Sequence, residues 1–278
     1  MKRTVPAVAE FAAGSAFGMA YAAAGVPASK LADCLAFPDK FSAIELPAET
    51  LELKEASYLL ARVLRSYKLV QTGSIIDSNV ARNLPFSSES LFQEFAAYTE
   101  KLLTLFHSIG IRTVTFDPHM NNILGDERAL NSMLRLLRLI APVLNRTGIT
   151  LLLPFSLPCA DSAQPVRLIR FLRESMIPEL KVRLDINPHE IPRSLTVPST
   201  LAGTLLLEVR SILFRYDADS GNILLADHLL PWLEAMNHYG FDGSWLAAPV
   251  SLGAGRFPVE TESFSELVKQ LTTKGPEQ

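Results

Sequence analysis

The chain has 278 residues, 48% of them hydrophobic, so it is long enough to bury a large apolar core. Its formal net charge is -3 and no segment is a dense basic run, which disfavours nucleic acid as the main partner. The two cysteines, Cys34 and Cys159, lie far apart without a CxxC pattern, which disfavours a disulfide scaffold or a structural zinc site.

The amino-terminal segment has two interpretations. Met1-Lys2-Arg3 and the alanine-rich run that ends at Ala28 are typical of a secretory signal peptide. Glu10 and two glycines interrupt this run, which favours a segment of the folded domain instead. We predict a cytoplasmic protein, with a signal peptide over residues 1–28 as the alternative. No other stretch reaches the ~18 apolar residues of a transmembrane helix, so no membrane association is predicted.

Short apolar runs rich in strand-forming residues alternate along the chain with longer runs of helical periodicity. This alternation is typical of βαβ units and a parallel sheet. The predicted strands cover residues 5–11, 42–46, 68–72, 112–116, 149–153, 180–185, 212–216 and 244–250. Six predicted helices cover residues 53–67, 89–108, 126–144, 200–210, 224–239 and 262–271. Two more are predicted to end near residues 35 and 176.

Local signals mark the ends of several predicted elements. Ser88 is a good N-cap for the helix over 89–108, and Gly110 follows that helix as its stop. Pro47 and Gly73 are expected to end the second and third strands. Eight strands in strict alternation with helices predict one (β/α)8 barrel domain over residues 1–278. An open doubly wound sheet is the structural alternative.

Four short segments carry a family resemblance. Residues 239–244 read Tyr-Gly-Phe-Asp-Gly-Ser, and residues 182–185 read Val-Arg-Leu-Asp. Together with residues 41–46 and 148–153, they resemble strand ends and one helix–strand junction of the xylose-isomerase-like barrels. That superfamily also holds sugar epimerases and endonuclease-IV-type enzymes. The resemblance implies a xylose-isomerase-like TIM barrel, and an isomerase or epimerase that acts on a sugar or related polyol.

The chain departs from that family where a divalent metal is held. In the family, a glutamate ends the fifth and eighth strands, but here Pro154 follows Leu153 and the eighth strand runs into Pro249. The sixth strand keeps its aspartate as Asp185, while Pro188 stands for the histidine three residues later and His189 comes one place further on.

The seventh strand departs from the family as well. The family's His-x-x-Asp becomes residues 214–217, in which Phe214 replaces the histidine and Asp217 remains. Proline and phenylalanine cannot bind a metal, so the sequence predicts a degenerate metal site. No cofactor is predicted, with a divalent metal such as Mn²⁺ or Mg²⁺ as the alternative.

Seven polar residues at predicted strand ends form the candidate site, because the carboxyl-terminal rim of a barrel carries the active site. We predict Asp185 and His119 as catalytic. The predicted ligand-binding residues are Glu45, Asp117, His189, Arg215 and Asp217.

Several of these residues also have a purely structural interpretation. Asp117-Pro118 is common turn chemistry. Asp185 would cap its loop, whereas Glu45 and Arg215 would form ion pairs with neighbouring side chains.

Three function classes follow from these residues and the resemblance. The preferred one is a sugar isomerase- or epimerase-like protein that binds a small polar, carbohydrate-like ligand at the carboxyl-terminal face of the barrel. The alternative is a non-catalytic relative that acts as a ligand- or protein-binding module. DNA repair rests on fold analogy alone. The predicted partner is a small molecule, and a homodimer is the candidate assembly.

Overall fold

A computed structural model describes residues 17–19, 43–48, 70–76, 88–157, 163–186, 204–205, 207–216 and 244–249 of the chain. Every structural statement below concerns these residues. The predicted helices over 53–67, 224–239 and 262–271, and the helix expected to end near residue 35, lie outside them.

Eight parallel strands form one sheet. They are β1 (Phe17–Met19), β2 (Ala43–Pro47), β3 (Val70–Ile76), β4 (Thr113–Asp117), β5 (Thr150–Leu157), β6 (Leu180–Ile186), β7 (Val209–Tyr216) and β8 (Ser244–Pro249). Their spatial order is β1-β8-β7-β6-β5-β4-β3-β2. Cα atoms of β1 and β2 lie within 8 Å of each other, so the two ends of the sheet meet. The predicted (β/α)8 barrel is confirmed, and the open-sheet alternative is wrong.

Four helices of the outer layer are described. They are α1 (Glu89–Ser108), α2 (Met120–Ile123), α3 (Glu127–Thr147) and α4 (Gln164–Ser175). The Ser88 hydroxyl accepts a hydrogen bond from Leu91 N at 3.3 Å, which confirms the predicted N-cap of α1. None of the helices in the described ranges is long and apolar enough to cross a membrane.

The ends of α3 are set by two residues. The Asp126 carboxylate accepts hydrogen bonds from Arg128 N at 2.8 Å and Ala129 N at 3.3 Å, which satisfies two free amides of the first turn. Gly148 ends the helix with φ of 63°, a left-handed conformation that glycine adopts without the clash of a Cβ atom. The helix therefore extends to Thr147, beyond the predicted end at residue 144.

The strands divide their side chains between two environments. Along β6, Val182, Leu184 and Ile186 pack into the large apolar cluster that also contains residues of α1, α3 and α4. Successive residues of a strand point to opposite faces of the sheet. Arg183 and Asp185 therefore face the other side of the sheet, which is the barrel interior.

The strand that pairs with β8 is β1 at Phe17–Met19, within the segment that a signal peptide would occupy, and the predicted strand over 5–11 lies outside the described residues. The predicted ends of two other strands are wrong. The β3 strand continues through Gly73, and β5 continues through Pro154 to Leu157. Both residues weaken strands by propensity, but Gly73 is held in register by β2 and β4, and Pro154 by β6.

The predicted helix over 200–210 is wrong at its carboxyl end. Strand β7 begins at Val209, which is fully buried and in register with Val182 of β6. Val209 and Ile212 are both β-branched and pack into the apolar cluster, and such residues suit a buried strand. Tertiary packing, and not the helical periodicity of the sequence, therefore determines that this part of the segment is a strand.

Candidate functional site

The carboxyl end of β4 brings together two predicted site residues. Asp117 is the last residue of β4, and its Oδ1 accepts a hydrogen bond from the backbone N–H of His119 at 2.9 Å. His119 Nδ1 lies 3.9 Å from the same oxygen. The imidazole is 46% exposed and the carboxylate 19% exposed, so both groups can be reached from solvent. The turn expected for Asp117-Pro118 is present, and it places the two side chains side by side.

His119 has an uncommon backbone conformation. Its φ of 54° and ψ of 60° lie in the left-handed region, which costs a residue with a Cβ atom roughly 1–2 kcal/mol. His119 is also the residue that precedes α2. Such strain persists only where the surrounding contacts determine it, and it is found preferentially at functional sites. The conformation keeps the imidazole beside Asp117 at the rim.

Asp185 is buried in the barrel interior, against a residue that was not among the predicted site residues. Arg183 Nε donates to Asp185 Oδ1 at 2.7 Å, and Arg183 Nη2 donates to Asp185 Oδ2 at 3.1 Å. Arg183 is 2% exposed and Asp185 is 3% exposed. A two-fold contact of this kind is the strongest arrangement of guanidinium and carboxylate. The loop-capping interpretation of Asp185 is replaced by a buried ion pair.

A third residue fixes the plane of the guanidinium. Arg183 Nη1 donates to Thr115 Oγ1 at 3.2 Å, across the intervening strand β5. Thr115 is buried on β4, two residues before Asp117, and so lies on the same face of that strand. Thr115, Arg183 and Asp185 therefore form a hydrogen-bonded cluster in the barrel interior, beside the face of β4 that carries Asp117.

Asn121 links the loop after β4 to the carboxyl end of β5. Ser156 N donates to Asn121 Oδ1 at 2.8 Å, and Asn121 Nδ2 donates to Ser156 O at 3.1 Å. Gln164, the first residue of α4, donates from Nε2 to Asn121 O at 2.9 Å. Asn121 Nδ2 also donates to Gln164 Oε1 at 3.2 Å. These bonds hold the short helix α2, and with it His119, in a fixed position at the rim.

The other predicted site residues are described only in part. Glu45 pairs with Thr72 in the ladder between β2 and β3, and Arg215 pairs with Ala248 in the ladder between β7 and β8. His189 and Asp217 lie outside the described residues. The structure thus brings Asp117 and His119 together and places Asp185 in the interior. The ligand-binding roles of Glu45, His189, Arg215 and Asp217 stay predictions.

A signal for Arg183 was present in the sequence. Arginine and aspartate two residues apart in a strand share one face, and residues 180–186 alternate these polar residues with apolar ones. Only an ion pair makes two such charges tolerable in a barrel interior. Thr115 and Asn121 had no comparable signal, because their partners are 68 and 35 residues away along the chain.

The described residues do not fit a divalent metal at Asp185. Its register neighbours are Ser156 on β5 and Leu213 on β7, neither of which is a carboxylate or an imidazole. Both carboxylate oxygens already accept from Arg183. The parts of the chain that the structure describes contain no group of three or more histidine, cysteine, aspartate or glutamate side chains that could hold a metal ion.

A separate cleft of about 460 Å³ lies outside the barrel. Its lining includes Glu127 of α3 and the α4 residues Arg167, Arg170 and Glu174. Leu124 and Gly125, which follow α2, complete one end of the lining, and none of the predicted site residues contributes to it. The cleft is therefore not part of the candidate site.

Comparisons with solved structures identify the fold. No family model and no curated protein match the sequence. A crystal structure of D-psicose 3-epimerase in the presence of D-fructose superposes with a TM-score of 0.65 and 13% identity, over 93% of this chain and 96% of that chain.

Two further structures agree. The apo form of 3-keto-D-glucoside 4-epimerase from E. coli gives a TM-score of 0.63 and 11% identity, over 93% of this chain and 99% of that chain. A xylose isomerase domain protein from Alicyclobacillus acidocaldarius gives 0.57 and 16%, over 93% and 97%. Identities this low establish the fold alone. The chain has the xylose-isomerase-like TIM-barrel fold that the sequence predicted.

Proposed function

We propose that the chain is a sugar isomerase- or epimerase-like protein that binds a small polar, carbohydrate-like ligand at the carboxyl-terminal mouth of its barrel. The observation that carries the proposal is the Asp117–His119 pair at the end of β4, with both side chains accessible and 3.9 Å apart. In barrels of this class, ligand-binding and catalytic residues come from the carboxyl ends of the strands.

The chemistry of the pair suits a polyol. A carboxylate accepts hydrogen bonds from hydroxyl groups, and an imidazole both donates and accepts them. An imidazole can act as a general base or a general acid, so His119 can take or give a proton in an isomerisation. Removing a proton next to a carbonyl group and returning it to another position or face is the reaction class that the superposed epimerases and isomerase-domain protein suggest.

In this proposal the buried ion pair borders the ligand site. Asp185 is the predicted catalytic carboxylate, and Arg183 holds it in place through a two-fold contact. Glu45 and Arg215 remain predicted ligand-binding residues on β2 and β7, as do His189 and Asp217 beyond β6 and β7. The proposal uses no cofactor.

Ligand binding is the first test. Wild-type protein is freed of metal with a chelator and screened by thermal shift against ketoses, aldoses and polyols, and hits are measured by calorimetry. We expect saturable stabilisation by at least one sugar, and loss of that response in His119→Gly and Asp117→Asn. Arg146→Gln, on the outer face of α3, is the matched control and should bind normally. A screen without any stabilising sugar would contradict the proposal.

A non-catalytic ligand-binding module is the second candidate. It is favoured by the engagement of both Asp185 oxygens by Arg183, because a carboxylate that is already occupied by a guanidinium is less available to a substrate. This candidate predicts that the sugar binds and stabilises the protein but undergoes no chemical change. An assay of proton exchange on the bound sugar separates the two candidates.

A further inference from the structure

We propose that Arg183 takes the place of a divalent metal ion in this barrel. Its guanidinium is the cation against which Asp185 is held, and it closes that carboxylate to Mn²⁺, Mg²⁺ and similar ions. The inference does not depend on the identity of a ligand or on turnover.

The position of Arg183 follows from the strand. It is two residues before Asp185 on β6, both face the barrel interior, and the neighbouring residues Val182 and Leu184 occupy the apolar cluster on the outside. The two charges are almost completely buried. A buried carboxylate needs a cation or several hydrogen-bond donors, and here one side chain supplies both.

The geometry leaves no room for an ion on Asp185. A divalent ion binds a carboxylate oxygen at roughly 2.0–2.2 Å. Guanidinium nitrogens already lie 2.7 Å from Oδ1 and 3.1 Å from Oδ2, so an ion there would meet a like charge at short range. The Arg183 bond to Thr115 prevents the guanidinium from simply turning away.

The register neighbours of Asp185 supply no charge that could balance its carboxylate. Ser156 and Leu213 occupy the positions beside it on β5 and β7, and β5 contains no charged residue or histidine, so among these neighbours Arg183 is the cation that Asp185 meets. An arginine cannot lose its proton in a protein, so its charge is permanent. The barrel interior therefore keeps a fixed positive group that no chelator removes.

Metal titration of the charge variants tests this inference. The proteins are wild type, Asp185→Asn, Arg183→Met and the double variant Arg183→Met/Asp185→Asn, each stripped of metal. Melting temperature is recorded with and without Mn²⁺. Mn²⁺ binding is followed in parallel by the loss of the free-ion electron paramagnetic resonance signal.

We expect neither wild type nor Asp185→Asn to respond to Mn²⁺ or to the chelator. Arg183→Met, which leaves Asp185 unpaired, should gain a Mn²⁺-dependent rise in melting temperature of about 3 °C or more at roughly ten times Kd. The double variant should lose that rise. Guanidinium ion at low millimolar concentration should also stabilise Arg183→Met, because it refills the vacated position.

Two results would overturn the inference. One is a wild-type response to Mn²⁺ that Asp185→Asn abolishes. The other is an Arg183→Met protein that folds but responds to neither Mn²⁺ nor guanidinium ion. If Arg183→Met folds only when Mn²⁺ is present, and the double variant folds without it, the inference stands. If the double variant also fails to fold, Arg183 acts through packing and the inference is wrong. A failed sugar screen would leave each of these results unchanged.

Discussion

Arg183 and Asp185 form a buried ion pair two residues apart on the sixth strand, with N–O distances of 2.7 and 3.1 Å. Both side chains lie in the barrel interior and are almost completely buried, whereas Asp117 and His119 at the end of β4 are accessible. The pair places one positive and one negative charge next to each other in the interior of this barrel, whose fold is shared with sugar epimerases.

Breaking the ion pair on one side should destabilise the protein strongly. We expect Arg183→Met to lower the free energy of unfolding by about 3–5 kcal/mol, because Asp185 becomes a buried, uncompensated charge. Replacing both partners with Arg183→Met/Asp185→Leu should cost far less, since no buried charge remains. Urea denaturation in chelator-containing buffer measures both values.

Arg135→Met is the control for that experiment. Arg135 also pairs with a carboxylate, that of Glu89, but both side chains are exposed and its guanidinium lies 4.6 Å from the Phe92 ring centroid. Its loss should cost about 1 kcal/mol or less. Equal losses for Arg135→Met and Arg183→Met would contradict the assignment of Arg183 to a buried pair.

Two substitutions should separate the contribution of the His119 backbone conformation to stability from the contribution of its imidazole to sugar binding. His119→Gly removes the imidazole and relieves the left-handed strain, so its stability should equal or exceed that of wild type. His119→Ala removes the same imidazole but keeps the strain, and should be less stable than His119→Gly by about 1 kcal/mol. Both variants should lose the sugar response. Thermal melts of the two variants measure the stability difference, and calorimetry measures sugar binding. Sugar binding that survives in His119→Gly would show that the histidine has only a structural role.

The Asn121 contacts should matter for both stability and binding. Asn121→Ala removes the acceptor of Ser156 N and one partner of Gln164, at an expected cost of about 1–3 kcal/mol. Asn121→Asp keeps the acceptor for Ser156 N and loses only the donor, so its cost should be smaller. Because α2 carries His119 at its start, sugar affinity should fall in the same order. Unchanged affinity in a destabilised Asn121→Ala would show that this loop does not position the site.

Stability below neutral pH should depend on Glu89. Hydrogen bonds from Arg135 and then Gln93 lower the pKa of the Glu89 carboxyl below its ordinary value of 4.5. A lowered pKa in the folded state stabilises the protein above pH 4.5, and this contribution disappears as the pH falls through the lowered pKa. Glu89→Gln should flatten that part of the acid-unfolding curve. Because the pair is exposed, high salt should weaken the effect, and a salt-independent difference would contradict this origin.

The sequence predicted the barrel because periodicity and local signals act within one element. The Ser88 cap, the start of α3 and the apolar run of β5 are all readable from neighbouring residues. Strand ends are less predictable from the sequence, because Gly73 and Pro154 stay in their strands through pairing with β2, β4 and β6. Local propensity does not include that pairing.

The site was only partly predictable for the same reason. Asp117 and His119 are two residues apart, and their proximity follows from one turn. The contact of Arg183 with Thr115 joins residues 68 positions apart and depends on the stagger of β4, β5 and β6. The same holds for Asn121 and Ser156, which meet only once the loop after β4 folds over the end of β5.

Proton exchange on a bound sugar tests the proposed function most directly. The sugar that stabilises the protein best is incubated in D₂O with wild type and with His119→Gly, and deuterium at the carbon next to the carbonyl group is followed by NMR. The account predicts steady incorporation with wild type, without added metal and in the presence of chelator, and little or none with His119→Gly. Binding without any incorporation would contradict an isomerase or epimerase and identify the chain as a ligand-binding module.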